Sequence, residues 1–124
     1  KCEQNNIIFI GGIYDKFELD VVRSNALSYF HGHSVGGTNP ALIEAMSAGI
    51  PVLAHDNIFN RWVAGKEMHY FSNEKELDIK LGFLLFNKEE MKKMSYSSIE
   101  KFKKDFTWGK ILSAYEKVFH SYLS

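Results

Sequence analysis

Cysteine is almost absent from this sequence: Cys2 is the only one. A disulfide framework and a cysteine-based zinc site are therefore excluded, and a reducing, cytoplasmic compartment is expected. Neither sign of charge is in excess, with 15 Lys plus Arg against 15 Asp plus Glu. A nucleic-acid binder normally carries a basic footprint, so partners of that kind are not expected. No apolar run approaches bilayer-spanning length, and no signal peptide is visible. Internal repeats and low-complexity linkers are missing too. The 124 residues suffice for one core and hence one domain. A start at Lys1 instead of Met suggests a piece of something longer. Proline is nearly as scarce as cysteine, and its two copies, Pro40 and Pro51, fall in one stretch.

That stretch, Tyr29 to Val52, organises the rest. An apolar-aromatic run enters a loop with adjacent glycines, Gly36-Gly37. Asn39 is placed to N-cap a helix that opens at Pro40, where a missing N–H costs nothing. Gly49 closes that helix, and Pro51 leads into an apolar strand that runs to His55. This is a βαβ unit with glycines at its strand-to-helix turn, the place where open α/β sheets bind phosphates.

Taken in order, Ile7-Ile8-Phe9-Ile10 reads as a strand covered on both faces, ended by Gly11-Gly12. A short helix is expected from Lys16 to Asn25, and a strand over Leu27-Ser28-Tyr29-Phe30. After the central unit, Asp56 to Asn60 reads as polar loop, Arg61 to Ala64 as one helical turn, and Tyr70-Phe71 as a short strand. Asn73 with Glu76 forms a capping box ahead of the stripe Leu77, Leu81, Leu84 and Leu85, which Asn87 breaks. Lys88 to Asp105 is an amphipathic helix carrying Met91, Met94, Ile99 and Phe102, with Phe106 just beyond. Thr107 caps a last helix whose buried side is expected to hold Trp108, Ile111, Leu112, Tyr115, Val118, Phe119 and Tyr122. Strands alternating with helices predict an α/β fold: a Rossmann-like parallel sheet flanked by helices, with the C-terminal helices packed on it. Lys88, Lys92, Lys93, Lys101, Lys103 and Lys104 offer a contact to an anionic membrane surface. Glu89, Glu90, Glu100 and Asp105 interleave with them, which makes a solvated face the better reading.

In the central unit, the N–H groups of Gly37, Thr38 and Asn39 sit at the positive end of the helix and can point at a diphosphate. Glu44, one turn in, can accept hydrogen bonds from the vicinal hydroxyls of a ribose. Together these describe a nucleotide or sugar-nucleotide cradle. Against it stands the plain alternative of a surface glutamate and an ordinary glycine turn, since short glycine motifs match by chance. His31 and His33 lie on one side of an extended segment, and His55-Asp56 follows the adjacent strand. These four are candidate metal ligands if the strands are neighbours. Histidines near a phosphate loop more often bond to ligand or backbone, so a role beside donor sugar or phosphate is preferred for His31 or His33.

Glu44-Ala45-Met46-Ser47-Ala48-Gly49-Ile50-Pro51-Val52 resembles the Glu-Ala-Met-Ala-x-Gly-x-Pro-Val signature of the retaining GT-B glycosyltransferases of family 4. Ile8-Phe9-Ile10-Gly11-Gly12 is similar to that family's strand ending in glycine at the nucleotide site, and Phe106-Thr107-Trp108 to its Phe-x-Trp before a final helix. His31 to Pro40, with Asp56-Asn57-x-Phe59-Asn60-Arg61, most resembles bacterial members associated with rhamnosyl transfer in surface-polysaccharide assembly. The resemblance implies the distal part of a C-terminal, donor-binding domain. It implies sugar transfer from a dTDP-, UDP- or GDP-sugar with retention of configuration, without a required metal or other cofactor. The glycan or lipid-linked acceptor would be held by an N-terminal domain, with the full-length enzyme cytoplasmic or peripheral at the inner face of the membrane. Glu44 would hold the donor ribose, amides at Gly37 and Thr38 the diphosphate, and backbone at Ile13 or Tyr14 the base.

Two departures stand out. The family's first motif glutamate falls at Gly36, so its role passes to no assigned catalytic residue; His33, Ser34 and Asn39 are the candidates. The family's diphosphate-binding Arg and Lys lie upstream of this chain's first residue. A sugar-nucleotide epimerase of the same architecture and a non-catalytic nucleotide-binding domain therefore remain alternatives.

Overall fold

The computed structural model describes residues 7–123. Its elements run α1 (Lys16–Ser24), β1 (Tyr29–His31), α2 (Pro40–Ser47), β2 (Val52–His55), α3 (Ile58–Ala64), β3 (His69–Phe71), α4 (Glu74–Phe86), α5 (Lys88–Asp105) and α6 (Trp108–Leu123). The three strands form one parallel sheet in the order β1-β2-β3, so the expected α/β architecture holds. Tyr29, Phe30 and His31 pair with Val52, Leu53 and Ala54, while Leu53, Ala54 and His55 pair with His69, Tyr70 and Phe71.

Local chemistry sets the element ends. The Asn39 side chain accepts the Ala41 N–H at 3.0 Å, with Pro40 at the first helical position. At the other end of α2, Gly49 has φ +70° and its N–H donates to the Met46 carbonyl, while the Ile50 N–H donates to Ala45. That is a Schellman closure, which turns the chain straight into β2. The Asn73–Glu76 box forms with a variation: Asn73 accepts the Glu76 N–H, and Glu76 accepts from the N–H of Ser72. Asn87 ends α4 and caps α5 by accepting from Glu90.

β2 is the centre of the sheet and is buried on both sides. Val52 and Ala54 join a core with Leu42 and Met46 of α2, Val63 of α3, Tyr70 of β3, Leu84 of α4 and Met94 of α5. Leu53, 1 % exposed, points the other way, toward Phe30, Leu77 and Leu81. Such two-sided burial is what a continuous apolar strand requires.

Four expectations need correction. Ile7 to Ile10 form no strand and are largely exposed. An apolar run becomes a strand only when a neighbour takes its backbone groups, and among the described residues none does. β1 begins at Tyr29 and leaves Leu27 outside and exposed, because the register with Val52 starts there. The third concerns α6. Trp108, Leu112, Tyr115, Val118, Phe119 and Tyr122 are all more than half exposed, and no residue of α6 is buried. α4 packs against β3 and α5 against α2, but α6 rests chiefly on α5 and not on the sheet. On α4 only Leu84 of the expected stripe is buried; Leu81 and Leu85 are exposed. Smaller shifts follow from caps: α3 begins at Ile58, three residues early, because the Asn57 side chain accepts the Asn60 N–H.

Burial also sets an alkaline limit. The Tyr70 hydroxyl donates to the Gly65 carbonyl, with the Arg61 guanidinium 4.5 Å above its ring. Burial pushes its pKa well up, against a smaller opposing pull from Arg61. A raised folded-state value means this contribution is complete below the ordinary tyrosine pKa of about 10 and is lost as pH climbs above it. Urea midpoints measured at rising pH are expected to fall in that range, and Tyr70→Phe to flatten the decline.

Candidate functional site

A cavity of about 100 Å³ opens where β1 ends and α2 begins. It is lined by the loop Val35 to Pro40 together with His31, His33 and Asn60. Gly36 has φ +132°, a backbone state that side chains rarely adopt. A carboxylate-bearing residue would have open space there but a strained backbone, which accounts for glycine at this position. Among the described residues, the N–H groups of Gly37 and Thr38 have no hydrogen-bond partner. They lie in the exposed loop just ahead of α2, whose N-terminal end carries partial positive charge.

The loop is held from α3. The Asn60 side-chain amide, 3 % exposed, donates to the carbonyls of His33 at 3.0 Å and His55 at 2.9 Å. Asn57 adds a second bond to the His33 carbonyl at 3.1 Å. Removing the Asn60 amide leaves the part-buried His55 carbonyl without this donor, which costs about 1–3 kcal/mol. Asn60→Ala is expected to lower stability by about 2 kcal/mol in urea unfolding, and to broaden the amide NMR signals of His33 to Thr38.

His31 lines the cavity and is 1 % exposed. Its Nδ1 is 3.3 Å from the Tyr29 hydroxyl, and its ring stacks on His33 with centroids 4.7 Å apart. Nε2 is buried without a partner. Burial, with a lesser contribution from His33, holds the His31 pKa below the ordinary histidine value, so the ring is neutral at pH 7. Burial pushes the Tyr29 hydroxyl up, with Arg23 opposing and Glu44 reinforcing.

Glu44 lies outside the cavity. It sits half exposed on α2, ion-paired with Arg23 of α1 through Oε2. It borders an adjoining apolar groove with Ile43, Phe102, Phe106 and Trp108, and Pro40 belongs to both the groove and the cavity. Ser34, Ile13 and Tyr14 do not line the cavity, and Tyr14 is nearly fully exposed. His31, His33, His55 and Asp56 are not assembled as ligands: among the described residues no three His, Cys, Asp or Glu are grouped to hold a metal. Asp56 instead takes both arms of Arg61 at 2.5 and 2.7 Å, and this bond holds its carboxyl below the usual range.

Sequence reasoning placed the loop and both histidines but missed Tyr29, Asn60 and Arg23 as parts of the site. Asn60 and Arg23 reach it across the fold, so no local spacing marks them; Tyr29 stands two positions from His31, but spacing does not say which ring nitrogen it faces. Among the described residues, no helix is long and apolar enough to cross a membrane. Neither a scan against protein-family models nor a search of curated proteins returned a match to this chain.

Proposed function

We propose that this chain supplies part of the donor site of a nucleotide-sugar-dependent glycosyltransferase of the retaining GT-B kind, with the diphosphate at the cavity between β1 and α2. The observation that carries the reading is the partnerless pair of loop amides, Gly37 and Thr38, just ahead of α2 in a cavity also lined by a buried histidine. N–H groups fixed by a helix N-terminus donate to anionic oxygen without reorganising. In the proposed reaction the bond between the sugar C1 and the diphosphate oxygen breaks, and the acceptor oxygen bonds to C1 on the same face. The acceptor hydroxyl's proton leaves to the departing diphosphate. Charge grows on that diphosphate, which is where the amides act.

Glu44 would take the ribose hydroxyls through Oε1, which has no partner among the described residues, while Arg23 holds Oε2. The finer reading, rhamnosyl transfer to a bacterial surface polysaccharide or its lipid-linked precursor, rests on the sequence resemblance of His31 to Pro40 together with Asp56 to Arg61. Hydrogen bonds to a charged group contribute about 1.5–3 kcal/mol and a helix N-terminus up to ~2 kcal/mol. Association costs at least about 4 kcal/mol, so this chain's own groups support roughly millimolar binding. Titration calorimetry with UDP, dTDP and GDP tests the reading. Binding of one of them in that range, abolished by competing pyrophosphate, is expected; indifference to all three would sink it.

A further inference from the structure

Resting on the donor-site reading above, we propose that His31 is a diphosphate-binding residue: its Nε2–H donates to a phosphoryl oxygen, and Tyr29 sets the tautomer from the other side of the ring. The neutral imidazole carries one N–H, on Nδ1 or on Nε2. Nδ1 lies 3.3 Å from the Tyr29 hydroxyl. Among the described residues that hydroxyl has no other hydrogen-bond partner. If Nδ1 donated, the phenolic hydrogen of this half-buried group would have no acceptor among the described residues. With the hydroxyl donating, every atom on that side is matched, and the ring proton stands on Nε2.

Nε2 is then a buried donor with nothing to donate to, on a residue that lines the cavity. Native proteins rarely leave such a group unmet unless a ligand or water meets it. Gly37 and Thr38, which line the same cavity, offer two more partnerless donors. A ligand that answers three N–H groups from residues lining one cavity brings several acceptor oxygens and no hydrogens of its own. A diphosphate has that composition. The neutral state follows from burial of the ring and from the neighbouring His33. Recognition here therefore rests on hydrogen-bond geometry and not on a fixed positive charge. Tyr29 does not reach the ligand; it is a positioning residue acting through the imidazole.

Ring-nitrogen NMR of histidine in the wild-type full chain tests this without any substitution. The expected result is the Nε2–H tautomer for His31 near neutral pH, with its Nε2 proton shifting when UDP or inorganic pyrophosphate is added. Tyr29→Phe is expected to return His31 toward a tautomer mixture, a change that a merely structural tyrosine would not produce. In calorimetry, His31→Ala weakens UDP and pyrophosphate binding about tenfold, while His31→Gln, which keeps an N–H near the Nε2 position, retains most of the affinity. A shift with UDP but none with pyrophosphate overturns the phosphoryl assignment in favour of contact with the nucleoside. An Nδ1–H tautomer, or unmoved His31 signals while UDP binds, overturns the role of His31 and leaves the donor site standing. If the wild type binds neither UDP, dTDP, GDP nor pyrophosphate, both fall together.

Discussion

Gly49→Val is expected to remove about 3 kcal/mol of stability, read as a lowered urea midpoint at an unchanged slope. Gly49 carries φ +70° at the closure of α2. A side chain in that region costs about 1–2 kcal/mol, and a β-branched one is a true outlier there. Crowding adds to the strain. A Cβ at this position would lie 2.8 Å from Cδ1 and 3.1 Å from Cγ1 of Ile99 on α5. Ile99 is flexible at its tip, so Gly49→Ala is expected to lose less, about 1–2 kcal/mol, mostly from the backbone. Domains of this size have only about 5–15 kcal/mol in hand, so the valine variant loses a large share. If it proves as stable as the wild type, the chain does not close α2 with a left-handed residue.

The second large effect is functional. On the proposed reading, Glu44→Ala in the intact enzyme lowers sugar transfer roughly 100-fold or more, because two charge-assisted hydrogen bonds to the ribose are lost. Stability should scarcely change. The Arg23–Glu44 pair is partly exposed on both sides, and such pairs contribute at most about 1 kcal/mol. Arg23→Ala is expected to have a smaller effect on transfer, since it leaves the carboxylate present and removes only what orients it. Steady-state kinetics with the donor varied, beside thermal unfolding of each variant, separates loss of the site from loss of the fold. Normal turnover in Glu44→Ala would end the ribose assignment.

How far the sequence carried the fold can be seen element by element. The Asn39-Pro40 opening, the Gly49 closure, the Asn73–Glu76 box and the strand at Val52 depend on residues within a few positions of one another. Those were legible. The run Ile7 to Ile10 and the aromatic helix α6 were misread for a shared reason. Apolar patterning states that a surface favours cover, but it does not identify the cover. The candidate site divides in the same way. The loop and its histidines were visible because they are contiguous. The Asn60 clamp on the His33 carbonyl spans 27 residues, and the Arg23 partner of Glu44 spans 21. Tyr29 lies two positions from His31, yet its role depends on which ring nitrogen it faces. Gly36 was noticed as an anomaly from the resemblance, and only the backbone torsion gave it a physical reason.

The position of β2 decides how the molecule comes apart. Leu53 and Ala54 have partners on both sides and are buried, so they should exchange their hydrogens only through global opening. α6, with no buried residue, should exchange and be clipped by protease through local unfolding long before that. The cavity hangs from the strand next to the slow-exchanging one. Trimming the last helix should therefore leave His31 and the Gly36–Asn39 loop in place, and the site should endure as long as the sheet does.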